Sequence, residues 1–356
     1  MNSIKKVIIN PIGFLSTFVI LFFTFLSIFS YHIISDGTYM SNNQQLSICT
    51  KPPGFTADFL HKKKPFSING NSNFFKKFIS GEENNFIRIP IVDYYVENDV
   101  VYYREYGSFL DESYSEIDVS ELIINNNQIT HNRKYLFGTD SKGRDFLSRI
   151  ILGSRVSLSV GLISVLISLI IGLTLGLISG YYGGKIDLFI QWLINVIWSI
   201  PTLLLVISIS IALGTGFWQI FIAIGLTMWV EVARVTRGEV LRLRELSYIK
   251  AVKSIGFSDF RIIVNHILPN ILNPIIVIST ANFATAILLE AGLSFLGLGI
   301  QPPTPSWGMM IKNHYLYILI DEPYLAILPG ICIVLLVLSF MSLGNIFRDL
   351  KDVKLR

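Results

Sequence analysis

The chain has 356 residues, of which 51% are hydrophobic and 15% are charged, and its mean hydropathy is +0.55. These values are typical of a membrane protein and argue against a string of soluble domains. The net charge is only +4, and the basic residues form no long stripe among exposed aromatics, which argues against a nucleic-acid binder. Two cysteines, Cys49 and Cys332, are too few for a disulfide framework or a zinc site, so no redox or metal chemistry is expected.

Stretches without Asp, Glu, Lys or Arg predict the membrane spans, because a bilayer core needs about 20 apolar residues per helix. Five stretches are long enough: residues 12–34, 156–184, 188–230, 262–289 and 323–347. The third is too long for one helix, and Gly214, Thr215 and Gly216 divide it into two. Six transmembrane helices are therefore predicted. A further uncharged stretch, residues 291–311, is rich in glycine and proline and is interpreted as a loop or partly re-entrant segment.

The basic residues predict the orientation, since cytoplasmic connections carry an excess of Lys and Arg. With six spans, both termini lie on the same side of the membrane. The termini and alternate connections carry almost all of the basic residues near the spans, whereas the two short opposite loops contain only Lys312. Both termini are therefore expected in the cytoplasm, and the first helix is expected to be a retained anchor rather than a cleaved signal.

These spans divide the chain into four predicted regions. Residues 1–35 are a cytoplasmic N-terminus and the first helix, 36–135 an extracytoplasmic insert, 136–347 a helical core with a cytoplasmic loop at 234–266, and 348–356 a cytoplasmic tail. Only the insert is a large polar segment, and its length lets it translocate regardless of its lysines.

The insert carries a β signal in its middle. Residues 86–96 and 100–106 are rich in β-branched and aromatic side chains, and Glu97, Asn98 and Asp99 separate them. This pattern predicts one or two strands followed by a hairpin return. The flanks, residues 41–45 and 125–132, are rich in Asn and offer little hydrophobic drive to fold. A small β-containing domain with loose edges is expected, and a solvated linker is the alternative.

The cytoplasmic connection between the fourth and fifth helices predicts two short helices joined by a glycine turn. An apolar stripe with spacing i, i+3, i+4 and i+7 is formed by Tyr248, Ala251, Val252 and Ile255. Lys250 faces elsewhere, Gly256 ends the first helix, and Ser258 is a candidate N-cap for a second helix through Arg261 and His266. Such a stripe either enters a groove on a soluble partner or lies on lipid, and the pattern alone favours neither.

Three separated motifs resemble the inner-membrane permeases of binding-protein-dependent ABC importers. Residues 248–270, which begin Tyr-Ile-Lys-Ala-Val-Lys-Ser-Ile-Gly, resemble the family's Glu-Ala-Ala loop. Residues 136–158 resemble the segment before helix two in the C-type subunit of oligopeptide and dipeptide permeases, and residues 290–308 resemble the loop after helix five of the same subunit. The motif before helix two includes Gly138, Thr139, Asp140, Gly143, Arg144 and Asp145. Ion pairing among its charged side chains is expected to orient the approach to the helix.

The sequence departs from the family pattern at identifiable positions. Lys250 stands where the loop motif usually has glutamate, while the glycine is retained at Gly256. The salt bridge of that glutamate to an ATPase is therefore not expected, and Lys250 can seek an acidic partner instead. In the third helix, Gln191 or Trp192 and Asn195 replace a basic residue and an aspartate. Pro201 is shared with the family and predicts a kink.

The resemblance implies an all-α polytopic membrane fold with six transmembrane helices, here with the β-containing insert between the first two. It implies a non-catalytic permease subunit for short peptides in a bacterial inner membrane, and the chain contains no phosphate-binding loop. The implied partners are a homologous second permease, cytoplasmic ABC ATPase subunits that bind ATP and Mg²⁺, and an extracytoplasmic substrate-binding protein. The residues expected to couple to the ATPase are Tyr248, Lys250, Ala251, Val252, Ile255, Gly256 and Arg261.

Alternatives remain for the cargo and for the class of protein. Relatives of the same family carry nickel, glutathione or peptide-like antibiotics. In a different class, the insert would act as a sensor on a membrane scaffold without transport. That hypothesis requires a cytoplasmic output domain, and the predicted tail at 348–356 is too short to be one.

Candidate residues of the translocation path are polar groups on apolar helix faces. They are Ser208, Ser210, Ser279, Thr280, Asn282, Thr285 and Glu290. The hydroxyl and other small residues can equally serve helix packing in lipid. Glu290 is costly at a membrane boundary unless it is paired or hydrated, although it can also be an ordinary helix-end carboxylate. His266 and His314 have no ligand-spaced partner, so neither a metal site nor a proton relay is expected.

Overall fold

A computed structural model describes residues 7, 9–65, 77–78, 81–82, 85–107, 114–124, 128–214 and 216–352. The helices are α1 Pro11–Ile28, α2 Ser30–Ile33, α3 Phe146–Tyr182, α4 Gly184–Trp198, α5 Thr202–Leu213, α6 Phe217–Arg244, α7 Ser247–Ser254, α8 Asp259–Ile262, α9 Leu268–Leu296, α10 Trp307–His314 and α11 Tyr324–Asp352. A π-helical turn, Ile263–Ile267, joins α8 directly to α9.

Five helical segments in the described part of the chain are long and apolar enough to cross a membrane. They are α1, α3, α6, α11 and the continuous segment Asp259–Leu296. Helices α4 and α5 pass the same test together, although they are bent by 91° at the break between them. Counted as one span, this pair brings the total to the predicted six, and the polytopic all-α membrane fold is confirmed.

The break between α4 and α5 lies at Pro201. Proline has no backbone N–H and its ring clashes with the preceding turn, so α4 ends before it and α5 begins after it. The kink predicted there is confirmed, and it is a sharp corner rather than a gentle bend. The uncharged stretch 291–311 is a loop only in its middle: α9 continues to Leu296 and is capped by Gly297, which is left-handed with φ 85°, and α10 begins at Trp307.

Helices α3 and α6 pack closely because small residues line their contact. A Cβ atom added to Gly172, Gly176 or Gly180 would lie 2.5 to 2.7 Å from the Cβ atoms of Val232, Thr236 and Val240, respectively. Within a membrane, where lipid competes with apolar side chains, such close backbone approach supplies much of the packing energy between helices. This helix pair therefore forms a tightly fitted unit.

Replacing Gly176 by alanine is expected to lower the free energy of unfolding by about 1–3 kcal/mol, because overpacking forces neighbouring atoms to move. The added methyl would also stand 2.7 Å from the carbonyl oxygen of Ala233, which is backbone and cannot rotate away. Gly330→Ala is the matched control, since nothing lies within 4 Å of its Cβ position. Unfolding in detergent measures both variants, and equal stability would contradict the tight α3–α6 contact.

The insert folds as a five-stranded antiparallel sheet. Its strands are β1 Phe55–Lys63, β2 Phe86–Glu97, β3 Val100–Glu105, β4 Ser115–Asp118 and β5 Thr130–Tyr135, in the order β4-β3-β2-β1-β5. The predicted hairpin is confirmed: Glu97 pairs with Val100, and Asn98 and Asp99 both have positive φ. Positive φ at both central residues is the geometry of a type I′ turn, which matches the twist of the flanking strands.

Strands β1, β4 and β5 were not predicted from the sequence. Strand β5 begins inside the Asn-rich flank that was expected to be loose, yet it pairs with β1 from Thr130 to Tyr135. Tyr135 is 3% exposed and packs with Ile48 and Phe59. Cross-strand packing thus overrides the weak local propensity of this segment. Residues 125–127 lie outside the described part of the chain.

The pH dependence of the insert's stability is expected to follow His61. Its ring stacks between His131 and Phe86, with both centroid distances at 4.1 Å. Burial, followed by the charges of His131, Arg88 and Arg133, lowers the pKa of His61 from 6.5 to about 4. The folded insert therefore favours neutral His61, and stability present above pH 6.5 is lost as the pH falls towards 4.

Limited proteolysis of the full chain between pH 7 and pH 4 measures this effect. His61→Gln removes the titrating group, so its insert is expected to become protease-sensitive over a smaller pH range than the unaltered insert. Identical pH profiles for the two proteins would contradict the assignment to His61.

Candidate functional site

A short element projects from the helical core between α6 and α9. It comprises α7, a turn and α8, and we call residues 247–262 the docking element. Helix α7 ends because Gly256 adopts φ 90°, a left-handed conformation that glycine reaches without steric cost. Ser258 occupies the N-cap position of α8, as predicted, although its side chain makes no capping hydrogen bond.

The inner face of the docking element is anchored to the core. Ile249 is 3% exposed and Ile262 is fully buried, and both belong to a cluster with Tyr181, Val240 and Leu243. Burial of two isoleucines contributes roughly 1.5–3 kcal/mol each. Ile249 was absent from the predicted stripe because it lies one residue beyond Tyr248 and faces inward. The element is therefore held against the ends of α3 and α6.

The outer face of the docking element is apolar and exposed. Ile255 and Phe260 are each 76% exposed, and Tyr248 and Phe257 are also exposed. From the predicted stripe, Ala251 is exposed as well, whereas Val252 turns partly towards the chain's own cluster. An exposed apolar patch of this kind marks a site of interaction with another protein or with the membrane surface.

Two aromatic members of this face were missed from the sequence. Phe257 and Phe260 lie after the glycine turn, outside the helical spacing that identified Tyr248 and Ile255. Arg261 stacks on the face of Phe257, with its Cζ atom 5.4 Å from the ring centroid. The sequence did carry a signal for them: two phenylalanines stand in a short polar stretch, where the rest of the chain need not bury them.

Lys250 has an acidic partner within the chain. Its Nζ atom lies 2.9 Å from Oε2 of Glu245, and both side chains are 62% exposed. The hydrogen bond and charge of Lys250 hold the pKa of Glu245 below its usual value. The lysine that replaces the family's glutamate is thus paired locally at the edge of the docking element.

The docking element also touches the end of α3 through polar contacts. The hydroxyl of Tyr181 donates to Oδ1 of Asp259 over 2.6 Å. At the end of α6, Nη1 of Arg244 donates to the carbonyl oxygens of Gly180 and Tyr181 over 3.2 and 3.0 Å. These two carbonyl groups belong to the last turn of α3, where no backbone N–H of the same helix is available to donate to them.

The motif before α3 forms a buried polar junction on the other side of the core. Asp140 accepts hydrogen bonds from the backbone N–H groups of Lys142 and Arg144 and from Nε of Arg144. Burial acts to raise the pKa of Asp140, but the charge and hydrogen bonds of Arg144 outweigh it and keep the pKa low. Nη1 of Arg144 in turn donates to Asn42.

The remaining motif residues attach the insert to α3. The hydroxyl of Thr139 donates to the carbonyl of Ile48 over 2.6 Å. A Cβ atom on Gly143 would lie 1.7 Å from the carbonyl oxygen of Gln45, so only glycine allows this approach, and Gly138 meets Lys51 in the same way. Asp145, at the N-terminus of α3, accepts from the hydroxyl groups of Ser35 and Ser148.

His314 connects α10 to this junction. Its Nε2 atom accepts from the backbone N–H of Ser141 at 3.4 Å, which places the proton on Nδ1, facing the carbonyl of Met310 at 2.7 Å. Burial lowers the pKa of His314. The ring therefore holds two segments together, whereas His266 lies in the π-helical turn before α9.

Four of the candidate path residues, Ser208, Ser279, Asn282 and Glu290, have different local environments. Ser208 and Ser279 donate to the carbonyls of Leu204 and Ile275, one helical turn back. Asn282 and Glu290 are each 1% exposed, and Glu290 accepts from the hydroxyl of Ser294 over 2.7 Å. A cavity lies between α6, α9 and α11, and none of the four is among the described residues that line it.

That cavity has a volume of about 670 Å³. Its apolar wall includes Val235, Pro274, Ile278, Ala281 and Met341, and its polar end carries Glu239, Arg242, Asn345 and Arg348. The three helices that form it are distant in the sequence and contribute mainly apolar residues. A search for polar residues on apolar faces could not find it.

A bundle of apolar helices long enough to cross a membrane, with an open cavity between three of them, is an architecture suited to a membrane transport subunit. The chain belongs to the family described as binding-protein-dependent transport system inner membrane component, which matches residues 172–353. The family indicated by the three sequence motifs is thus confirmed.

Similar proteins with assigned functions are themselves permeases. The chain is 40% identical over 223 residues to the glutathione transport system permease protein GsiD of Escherichia coli, covering 63% of this chain and 73% of that protein. It is 44% identical over 223 residues, with the same coverage, to the dipeptide transport system permease protein DppC of Alkalihalophilus pseudofirmus. A chain of the inward-facing methionine ABC transporter MetNI overlays with a TM-score of 0.48 and 18% identity, covering 57% of this chain and 96% of that chain.

Proposed function

We propose that the chain is one of two homologous permease subunits of an ABC importer that moves short peptides into the cell. The energy comes from ATP hydrolysis in separate cytoplasmic subunits, which bind ATP and Mg²⁺, and this chain binds no cofactor of its own. Membership of the binding-protein-dependent family supports the machinery. The relatives named for dipeptide and glutathione transport support a peptide cargo.

The observation that carries the proposal is the outer face of the docking element. Ile255 and Phe260 remain 76% exposed although the element itself is anchored by buried isoleucines. Apolar side chains so exposed on an ordered element are typical of a surface that a partner covers. The ATPase subunit is the partner that this family requires on the cytoplasmic side.

The orientation follows from the same assignment. With both termini in the cytoplasm, the docking element and the polar end of the cavity face the ATPase, and the five-stranded insert faces the substrate-binding protein. Arg242 and Arg348 then lie on the cytoplasmic side, as the excess of basic residues in cytoplasmic segments requires. We place the protein in the bacterial inner membrane on these grounds.

Movement of the docking element provides the coupling. It is continuous with α6 on one side and with α9 on the other, and both helices line the 670 Å³ cavity. Closure of the ATPase subunits would displace the element as a unit and shift these two helices, which changes access to the cavity. We propose this cavity as part of the path, while Ser208, Ser279, Asn282 and Glu290 stay predicted path residues.

Affinity purification of the tagged chain from native membranes in mild detergent, followed by mass spectrometry, tests the proposal. A second permease with a similar span pattern and an ATPase with a phosphate-binding loop are expected to co-purify. Recovery of the folded chain alone would overturn the proposal and favour the sensor hypothesis. The cargo is identified by assaying the co-purified binding protein against dipeptides, glutathione and nickel.

A further inference from the structure

One uninterrupted helix joins the extracytoplasmic side of the core to its cytoplasmic side. Helix α3 has 37 residues and contains no proline. At 1.5 Å per residue it is about 55 Å long, whereas the hydrocarbon core of a bilayer is about 30 Å thick. Both ends of α3 therefore extend beyond the apolar core and can contact the elements on either side.

The N-terminal end of α3 is fixed to the segment that leads into the insert. Asp145 accepts from Ser35, and Nη1 of Arg149 lies 3.3 and 3.4 Å from the carbonyl oxygens of Met40 and Ser41, to which it donates. Both Asp145 and Arg149 are at most 4% exposed. A displacement of this part of the insert is consequently transmitted to α3 rather than absorbed by a flexible joint.

The C-terminal end of α3 reaches the docking element without a covalent connection to it. The chain enters the docking element from α6 and leaves it into α9. Among the described residues, α3 and the docking element share a 2.6 Å hydrogen bond from Tyr181 to Asp259, and Nζ of Lys253 lies 5.8 Å from the centroid of the Tyr181 ring. The Tyr181 ring is 6% exposed and packs in the cluster that anchors Ile249, so its hydroxyl is held in place.

We propose that Tyr181 is a positioning residue that joins α3 to the docking element. When a loaded binding protein docks on the insert, α3 is displaced. The contact of Tyr181 passes this displacement to the docking element at the ATPase surface. The proposal rests on the proposed function, because it assigns a signal route within the same importer. It predicts that the Tyr181 hydroxyl matters for stimulation by the binding protein rather than for assembly.

The test uses the complete importer reconstituted in lipid, with its binding protein and dialanine as the probe dipeptide. The measured quantity is ATPase activity with the loaded binding protein divided by activity without it. Tyr181→Phe keeps the buried ring and removes the hydroxyl, and it is expected to reduce this ratio by roughly fivefold or more, the usual scale of coupling between sites. Co-purification of the ATPase is expected to persist.

Two matched variants separate this role from a general structural one. Tyr182→Phe removes the hydroxyl of the adjacent residue, which is half exposed and makes no side-chain hydrogen bond within the part of the chain that the structure describes, and it should leave the ratio unchanged. Asp259→Asn keeps an acceptor oxygen and should restore most of the stimulation that Asp259→Ala loses. Combining Tyr181→Phe with Asp259→Ala should be no worse than either change alone, because one contact cannot be lost twice.

Full stimulation of the Tyr181→Phe importer would overturn the inference, as would an equal loss in Tyr182→Phe. Failure of the proposed function is distinguishable from both outcomes. In that case no ATPase would co-purify with the unaltered chain, and no stimulated activity would exist to compare.

Discussion

Replacing Phe260 with aspartate is expected to abolish uptake while the protein still folds and reaches the membrane. The side chain is 76% exposed and so contributes little to the chain's own core. At a protein interface, a central aromatic residue of this kind typically accounts for at least about 2 kcal/mol, and an aspartate adds the cost of burying a charge. Dipeptide uptake and recovery of the ATPase with the tagged chain measure the effect, and both are expected to fall at least about thirtyfold.

Leu319→Asp provides the matched control for this prediction. Leu319 is 83% exposed, would undergo the same apolar-to-acidic change, and lies in the segment between α10 and α11, away from the docking element and the insert. Its uptake should equal that of the unaltered chain. If Phe260→Asp imported dipeptide at the control rate and retained the ATPase, the assignment of the docking element would be wrong.

Replacing Ala281 with tryptophan should block import without preventing assembly. Ala281 lies in α9 on the wall of the 670 Å³ cavity, and the indole ring would add roughly 150–250 Å² of surface to that space. A dipeptide could no longer pass if the cavity belongs to the path. Uptake by vesicles is expected to fall at least about tenfold, while the ATPase still co-purifies, because the docking element is untouched.

Ala212→Trp tests whether the loss comes from the cavity or from the size of the new side chain. Ala212 is exposed in α5 and is not among the residues that line the cavity. The importer with Ala212→Trp should retain normal uptake. Undiminished import by Ala281→Trp, with the variant folded and assembled, would exclude this cavity from the path and return attention to the residues around Glu290.

The features of the fold that could be predicted from the sequence are those that depend on local residue patterns. Charge-free stretches identified the spans, since a single Lys or Asp in lipid is costly enough to mark the ends of each stretch. The turn at Asn98 and Asp99 and the break at Pro201 followed from local backbone constraints. Gly256 ended a helix for the same reason, and its left-handed conformation was implicit in the residue type.

Features that depend on three-dimensional neighbours were out of reach. Strand β5 exists because β1 offers it a partner, although its own sequence is polar. Ile249 points inward because the cluster around Tyr181 lies on that side of α7. The cavity at Ala281 is the space left by three helices, and no property of one helix encodes it. Phe260 was missed because a helical period was sought where a turn had already ended the helix.

The glycine-lined contact between α3 and α6 determines where this molecule can bend. The α3 and α6 backbones approach closely at Gly172, Gly176 and Gly180, with no bulky side chains between them. The two helices are therefore expected to move together as one rigid body. Flexure must then fall elsewhere. The corner at Pro201 and the π-helical turn Ile263–Ile267 interrupt regular α-helical hydrogen bonding on either side of that rigid body. Bending between the helices is therefore expected at the corner at Pro201 and at the π-helical turn.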